Sequence, residues 1–285
     1  MRKVSEKSAK KYEARQVRRI HKWQRRRPGW IARTIEFLVS PIVYLFRRVI
    51  PHSTVESVLH GNLAFARRWA REGKTLRSLG VGHHSELTEA ELLHSDRTVR
   101  RIHGRAVWLA AGVGFVSGIF GIFALPVGMA AILNIALRTI HRIGLSYGYP
   151  ADGEAERLFV YYTLSLAGNR KPEDKAASLQ AMRELLAAIA AQPSESEKPA
   201  AAVDDRIRHK ALDIAHHDFS REITKQLVEV RILTSIPGIG GIVGLIVDTR
   251  YISSVGWAAR HAYQLRWLEE RGRLPETLLL AAVPA

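Results

Sequence analysis

The amino-acid sequence predicts an all-α fold, a multi-helix bundle around two glycine-rich apolar helices that is suited to membrane association. Two long runs, residues 106–137 and 232–247, contain no charged side chain. Both runs carry glycines at a similar spacing. The apolar residues elsewhere recur at intervals of three and four, which is typical of helices.

The glycines of the two runs predict a close contact between two helices. A glycine inside a helix is about 1 kcal/mol less favourable than alanine, so several in one helix make sense only where another backbone approaches closely. We therefore expect the two runs to pack against each other. The predicted helix-packing glycines are Gly112, Gly114, Gly118 and Gly121 in the first run and Gly238, Gly240, Gly241 and Gly244 in the second.

The chain opens with a basic arm. Residues 1–28 hold twelve Lys or Arg and two Glu, a net +10 out of the +16 of the whole chain. We interpret residues 1–28 as one unit and residues 29–285 as a helical domain. Positive charge concentrated in this way favours an anionic partner, either the acidic surface of a membrane or nucleic acid. Nucleic acid is the less favoured partner, because the arm has few aromatic residues for base stacking.

The end of the arm resembles an interfacial membrane anchor. Arg25, Arg26 and Arg27 lie between Trp23 and Trp30, a pattern in which cations meet lipid phosphates while aromatic rings lie at headgroup depth. Charged residues interrupt the apolar segment that follows, so we expect it not to be cleaved as a secretory signal. The alternative is a solvated basic helix followed by an ordinary buried helix.

The segment before the first uncharged run predicts helices with polar connections. Thr88 and Glu91 have the spacing of a capping box at the start of a short helix. Glu91 and His94 also match the Glu-x-x-His element of di-iron bundles, but such a site needs carboxylates from other helices, and the sequence offers only Asp213 and His216. We interpret the histidines as surface residues and predict neither a metal nor a cofactor.

Pro126 divides the first run into two helices. Proline fits the first turn of a helix, where its missing N–H has no intrahelical partner to lose. We expect an antiparallel hairpin joined at residues 124–127, with a second helix that Gly148 ends. Such a hairpin could insert into a membrane or form the buried centre of a soluble bundle.

Two motifs match functional patterns without the structural context that those patterns need. Residues 144–148 read Gly-x-Ser-x-Gly, but a nucleophile elbow requires a strand before Ser146, and the residues before Ser146 have helical period. The glycine patterns that begin at Gly112 and Gly238 follow no strand of a dinucleotide-binding unit. We predict no catalytic residue.

Further helices precede the second uncharged run. Residues 156–168 and 171–192 predict two helices, and residues 192–204 predict a flexible linker. The helix after the linker carries a polar stripe, which is more often hydrated than metal-binding: His209, Asp213, His216 and His217.

Four polar residues border the uncharged runs and are expected to meet at the centre of the fold. Arg138 and His141 follow the first run, and Asp248 and Arg250 follow the second. We interpret this polar cluster as helix-end solvation and ion pairing rather than as catalytic machinery.

Several of these segments resemble the bacterial EcsC family. The resemblance is carried by ALRTIHRIGLSYGYP followed by ERLFVYYTLSLAG, by IPGIGGIVGLIVDTRYISSVGWAARHAYQLRWLEERG, and by SPIVYLFRRVIPHSTVESVLHGNL. Tyr147 and Gly148 match a Tyr-Gly pair of the family, and Asp248 stands where members often have asparagine. The resemblance implies association with an ABC transporter system at the bacterial cytoplasmic membrane.

The expected function is that of a non-enzymatic, membrane-associated accessory protein at the cytoplasmic face of the bacterial inner membrane. Its partners would be anionic membrane lipid, bound through the basic arm, and the ABC transporter that the resemblance implies. Two alternatives stay open: a hydrolase or metal-dependent enzyme that uses the polar cluster, and a non-specific nucleic-acid binder. The absence of cysteine excludes disulfides and thiolate zinc sites.

Overall fold

The computed structural model describes residues 6–26, 91–120, 124–149, 154–169, 171–190 and 240–274. Over these residues the fold is all-α, as the sequence predicts, and contains no strand. The predicted linker at residues 192–204 and the predicted helices in residues 30–90 and 205–230 lie outside the described residues. The helices are α1 (Glu6–Gln24), α2 (Leu92–Ile119), α3 (Leu125–Ser146), α4 (Glu154–Gly168), α5 (Pro172–Ala190) and α6 (Gly240–Glu270).

The bundle is organised around α2 and α6, which run antiparallel. Gly114 lies against Gly244 near one end of the pair, and Asp96 lies against Arg260 near the other. Helices α3 and α4 pack on α6, and α5 packs on α4. Helix α1 contacts α2 and α5.

Aromatic side chains fill the core at the end of the bundle that contains Asp96. The ring of Tyr263 stacks on Tyr147 and packs against Phe159, and all three side chains are buried. Gly144 on α3 makes room for this cluster, because a Cβ there would lie 2.7 Å from the Tyr263 ring. Dense aromatic packing of this kind supplies much of the apolar burial that stabilises a bundle.

The predicted boundaries of α3, α4 and α5 are confirmed within a few residues. Pro126 lies in the first turn of α3, where its missing N–H breaks no helical hydrogen bond. Gly148 follows the last turn of α3 with a φ of 90°, a left-handed conformation that strains residues with a Cβ. The Tyr149 amide then donates to the Gly144 carbonyl oxygen at 3.0 Å and closes the helix end.

The start of α2 differs from the prediction. Glu91 has an extended backbone, with φ −64° and ψ 141°, and its side chain makes no capping hydrogen bond. The predicted capping box of Thr88 and Glu91 is therefore wrong, because it requires Glu91 at the third helical position. Helix α2 instead begins at Leu92 and continues without a break through Arg105 into the first uncharged run.

Candidate functional site

One end of the bundle, which we call the apolar tip, combines exposed apolar side chains with an absence of charge. It consists of residues 108–120 of α2, 124–127 at the start of α3 and 240–246 of α6. Among the described helices, α2 alone is long and apolar enough to cross a membrane. Ten large apolar side chains of the tip lie exposed: Trp108, Leu109, Phe115, Val116, Ile119, Phe120, Val127, Ile242, Leu245 and Ile246. A contiguous surface of this kind marks a contact with lipid or with another protein.

Gly114 and Gly244 form the closest approach between α2 and α6 within the tip. A Cβ added at either glycine would come closer than 3.0 Å to the carbonyl oxygen of the other. Backbone atoms have no rotamer by which to move away, so only glycine permits this separation of the helices.

The other predicted packing glycines have different surroundings. The Cα of Gly118 lies 3.4 Å from the Cβ position of Gly244, and a Cβ at Gly241 would contact the Phe115 ring at 3.4 Å. Gly112 lies on the exposed face of α2, where a Cβ would meet no described atom within 4 Å. Gly240 opens α6, and two further glycines lie outside the described residues: Gly121 and Gly238.

The four residues of the predicted polar cluster differ in burial. Asp248 is fully buried, and a Cβ at Gly114 would lie 2.9 Å from its Oδ2. His141 is buried on α3, Arg138 is half-buried one turn earlier, and Arg250 is exposed. The structure therefore places the Asp248 side chain in the interior, next to Gly114 at the contact between α2 and α6. It leaves Arg250 at the surface.

Cations lie on the exposed face of α2 where the apolar tip begins. Arg97, Arg101 and Arg105 are exposed and share one helix face with Trp108, since the spacings of four, four and three residues keep them within one stripe. Trp108 is 81% exposed. The same face thus changes from cationic to apolar along the helix, with an indole at the boundary.

Arg142 of α3 lies close to two other cations at this boundary, Arg138 and Arg105. Burial, together with the positive charges of Arg138 and Arg105, lowers the pKa of Arg142. Arg142 is therefore near enough to both Arg105 and Arg138 for their charges to repel its own, at the level where the uncharged tip begins. A group of cations at this position favours an anion beside it.

A buried carboxylate, Asp96, forms the hydrogen-bonding centre of the opposite end of the bundle. Its Oδ1 accepts from the Tyr147 hydroxyl at 2.5 Å and from the Gln264 amide at 2.8 Å. Its Oδ2 accepts from the Tyr12 hydroxyl at 2.6 Å and from the Arg260 guanidinium at 3.0 Å. We call these five residues the Asp96 hub, and it joins α1, α2, α6 and the end of α3.

The electrostatics of the hub fit a structural role. Burial and the charge of Asp96 raise the pKa of Tyr12 to about 12 and also raise that of Tyr147, so both phenols remain donors at neutral pH. Burial alone would lower the pKa of Arg260, but the charge of Asp96, the hydrogen bond to it, and the nearby Tyr147 and Tyr12 together outweigh burial and raise that pKa. Donors occupy both carboxylate oxygens, so the buried carboxylate is fully hydrogen-bonded.

An aromatic stack lies beside the hub. His261 packs between Trp23 of α1 and Trp257 of α6, with ring centroids 5.0 and 5.6 Å apart. Because the Gln264 amide nitrogen donates to Asp96, its oxygen accepts a hydrogen bond from His261 Nδ1 at 3.1 Å. Burial lowers the pKa of His261 to about 4, so the ring is neutral near pH 7.

The residues predicted at the arm's membrane end belong partly to this stack. Trp23 is half-buried, and the Lys175 ammonium lies 5.2 Å from its ring centroid. Arg25 and Arg26 are exposed. Arg27 and Trp30 lie outside the described residues.

The sequence motifs considered for catalysis have no catalytic geometry in the described structure. Ser146 is fully buried in the last turn of α3, and its hydroxyl donates to the Arg142 carbonyl oxygen at 2.8 Å. Across the described ranges, no three His, Asp or Glu side chains group in a way that could hold a metal ion. The predicted polar stripe at residues 209–217 lies outside those ranges.

Sequence reasoning did not identify the Asp96 hub. A local signal existed, because Asp96 lies four residues after Leu92 and three before Val99, on the buried face of an amphipathic helix. A carboxylate in such a stripe requires buried donors. Arg260 and Gln264, one turn apart on α6, are two of them.

Comparisons with known proteins cover most of the chain that contains these helices. The model of the EcsC protein family matches residues 14–268, which include all or part of every described helix. Protein EcsC of Bacillus subtilis (strain 168) is 25% identical over 162 residues, which cover 57% of this chain and 59% of the relative. The alignment thus spans less than two thirds of that protein. No solved structure matches the chain. The family match extends from the middle of α1 to the last turn of α6, and the chain therefore belongs to the EcsC family.

Proposed function

We propose that this protein is a membrane-associated accessory protein that inserts its apolar tip into one leaflet of an anionic bilayer. The observation that carries the proposal is the exposed face of α2, which changes from three arginines to an apolar surface at Trp108. Cations near lipid phosphates contribute about 1 kcal/mol each, and an indole is favourable at the interface between headgroups and acyl chains.

The depth of the tip supports insertion into one leaflet. From Arg105 to Phe120, α2 rises roughly 22 Å at 1.5 Å per residue. A hydrocarbon core is about 30 Å thick, so one leaflet contributes about 15 Å. The tip can therefore reach the middle of the bilayer while the arginines of α2 remain among the headgroups.

Exposed cations of α1 add to the attraction for an anionic surface. Helix α1 buries Glu13, Gln16 and Ile20 and turns its basic residues outward. The exposed basic residues are Lys7, Lys10, Lys11, Arg15, Arg18, Arg19, Lys22, Arg25 and Arg26. Their contribution is expected to weaken with salt, whereas insertion of the tip is expected to persist.

An ABC transporter at the cytoplasmic face of the inner membrane is the protein partner that we propose. Support for it comes from the family resemblance, which implies such a system at the bacterial cytoplasmic membrane. A tip that anchors the chain at this membrane would place it beside a transporter. Co-purification of the full chain with a transporter from its native membrane would test this step, and its absence from the transporter fraction would contradict it.

Vesicle flotation tests the membrane proposal. Full-length protein should float with vesicles of phosphatidylglycerol and phosphatidylcholine, and less with phosphatidylcholine alone. Val116→Glu and Ile242→Glu should each weaken binding about tenfold or more, because a charged side chain is costly in the hydrocarbon core. Ala177→Glu adds the same charge at an exposed position of α5 and should bind almost as the wild type does. Wild-type affinity in both tip variants would refute insertion of the tip.

A further inference from the structure

We infer that Asp96 is a positioning residue that holds α1 across the bundle, so that the cations of α1 and α2 form one fixed basic surface. The effect on lipid binding rests on the proposed membrane function. The attachment of α1 to Asp96 does not depend on that function and can be measured without lipid.

Helix α1 crosses the bundle as a strap. It contacts three different helices, α2, α6 and α5. The Tyr12 hydroxyl donates to Asp96, the Arg260 guanidinium donates to Gln16 Oε1 at 3.4 Å, and Trp23 lies under Lys175. Helix α1 thus reaches from α2 at Tyr12 to α5 at Trp23, and Trp23 also packs against His261 of α6.

The surface under α1 combines an apolar contact, the core around Ile20, with polar groups, two of which are cations. Lys175 Nζ donates to the carbonyl oxygens of Trp23 and Arg26 at 3.4 and 3.3 Å, and Arg273 pairs with Glu13 at 2.5 Å. Burial and the charge of Arg26 lower the pKa of Lys175. A basic helix therefore docks on a surface that already contains cations.

Asp96 supplies a buried carboxylate, paired with Arg260, to which α1 also bonds. It is fully buried, and the guanidinium that pairs with it, Arg260, is 4% exposed. The Tyr12 hydroxyl is the contact through which α1 reaches that charge directly. Hydrogen bonds to a carboxylate are about twice as strong as neutral ones, so the bond from Tyr12 holds α1 more firmly than its neutral contacts do.

A fixed α1 and a free basic arm predict opposite results for one substitution. Asp96→Asn raises the net charge of the chain by one. A free arm that binds lipid by charge alone would then bind equally well or better. If α1 must be held beside the cations of α2, the same substitution should weaken binding, because a released α1 has to be ordered again at the membrane.

Two phenylalanine variants separate the effect of the Tyr12–Asp96 hydrogen bond from a general loss of stability. Tyr12→Phe and Tyr147→Phe each remove one hydroxyl that donates to Asp96, but only Tyr12 belongs to α1. Hydrogen exchange of the full chain, without lipid, should speed up about tenfold or more over residues 7–24 in Tyr12→Phe. In Tyr147→Phe, α1 should exchange no faster than the helices around it.

Flotation with phosphatidylglycerol vesicles supplies the second measurement. Tyr12→Phe and Asp96→Asn should weaken binding about three- to tenfold, because a partly released α1 must be ordered again when the protein binds the vesicle. Tyr147→Phe should keep wild-type affinity. Tyr12→Phe also decides the outcome if Asp96→Asn does not fold.

Unchanged exchange of α1 in Tyr12→Phe would overturn the positioning role. Faster exchange with unchanged flotation would overturn the link to the membrane. A wild-type chain that does not float would refute the proposed function, but the exchange data would still decide whether Asp96 holds α1.

Discussion

Replacing Gly114 with alanine is expected to destabilise the protein, although alanine is the better helix former. The new Cβ would overlap the Gly244 carbonyl group and approach Asp248 Oδ2 at 2.9 Å. The helices must separate to relieve this overlap, because backbone atoms have no alternative rotamer. Overpacking of a core typically costs 1 to 3 kcal/mol, and a backbone contact belongs at the upper end of that range.

The gain in helix propensity offsets about 1 kcal/mol of this cost, which leaves a net loss of about 2 kcal/mol. For a chain of this size each kcal/mol lowers the melting temperature by about 2 to 4 °C, so Gly114→Ala should melt about 4 to 8 °C below the wild type. Thermal and urea unfolding followed by far-UV circular dichroism would measure the change.

Gly112→Ala is the matched control on the same helix. A Cβ at this position meets no described atom within 4 Å, so the substitution should raise stability by about 0.5 to 1 kcal/mol. The two substitutions are therefore expected to change the unfolding free energy in opposite directions. A Gly114→Ala protein at least as stable as the wild type would refute the close approach of α2 and α6.

Three further substitutions test other parts of the fold. Gly148→Ala should lower the unfolding free energy by about 1 to 2 kcal/mol in urea titrations, because its φ of 90° is strained for alanine. Arg266→Lys should cost about 1 to 2 kcal/mol in the same assay, since lysine cannot reproduce the paired contacts to Glu156 and Glu270 at 2.6 and 2.9 Å. For His261, the folded pKa of about 4 lies below the ordinary value of 6.5, so the unfolded chain binds the proton first. Stability should therefore fall by about 3 kcal/mol as the pH drops from 6.5 to 4, and His261→Phe should flatten this slope; an equally steep slope in that variant would show that other groups cause it.

Local rules predicted the parts of the fold that depend on local chemistry. Pro126 and Gly148 mark the ends of α3 because a missing N–H and a left-handed φ are properties of single residues. Helices α4 and α5 followed from apolar spacing and helix propensity. The predicted capping box at Glu91 was wrong because it rested on residue spacing alone, whereas the backbone of Glu91 is extended and lies before the first turn of α2.

The hub escaped prediction because its members are far apart in the chain. Tyr12 lies 84 residues before Asp96, and Arg260 lies 164 residues after it. The chain contains 43 Lys or Arg and 27 Asp or Glu, so composition allows many pairings and selects none. The pairing is fixed by the antiparallel packing of α2 and α6 and by α1 crossing them, which are properties of the tertiary fold.

The packing of the tip is consistent with a lipid environment. In water, separation of two apolar helices is opposed by the hydrophobic effect, but in lipid this force is absent, and close packing of small residues takes its place. Gly114 and Gly244 provide such packing where the side chains around them are exposed. If α2 crossed the whole bilayer, Arg101 and Arg105 on its exposed face would enter hydrocarbon, where a charge costs about 2.5 kcal/mol or more at the centre. Entry of the tip into one leaflet avoids that cost, because the arginines of α2 then remain among the headgroups.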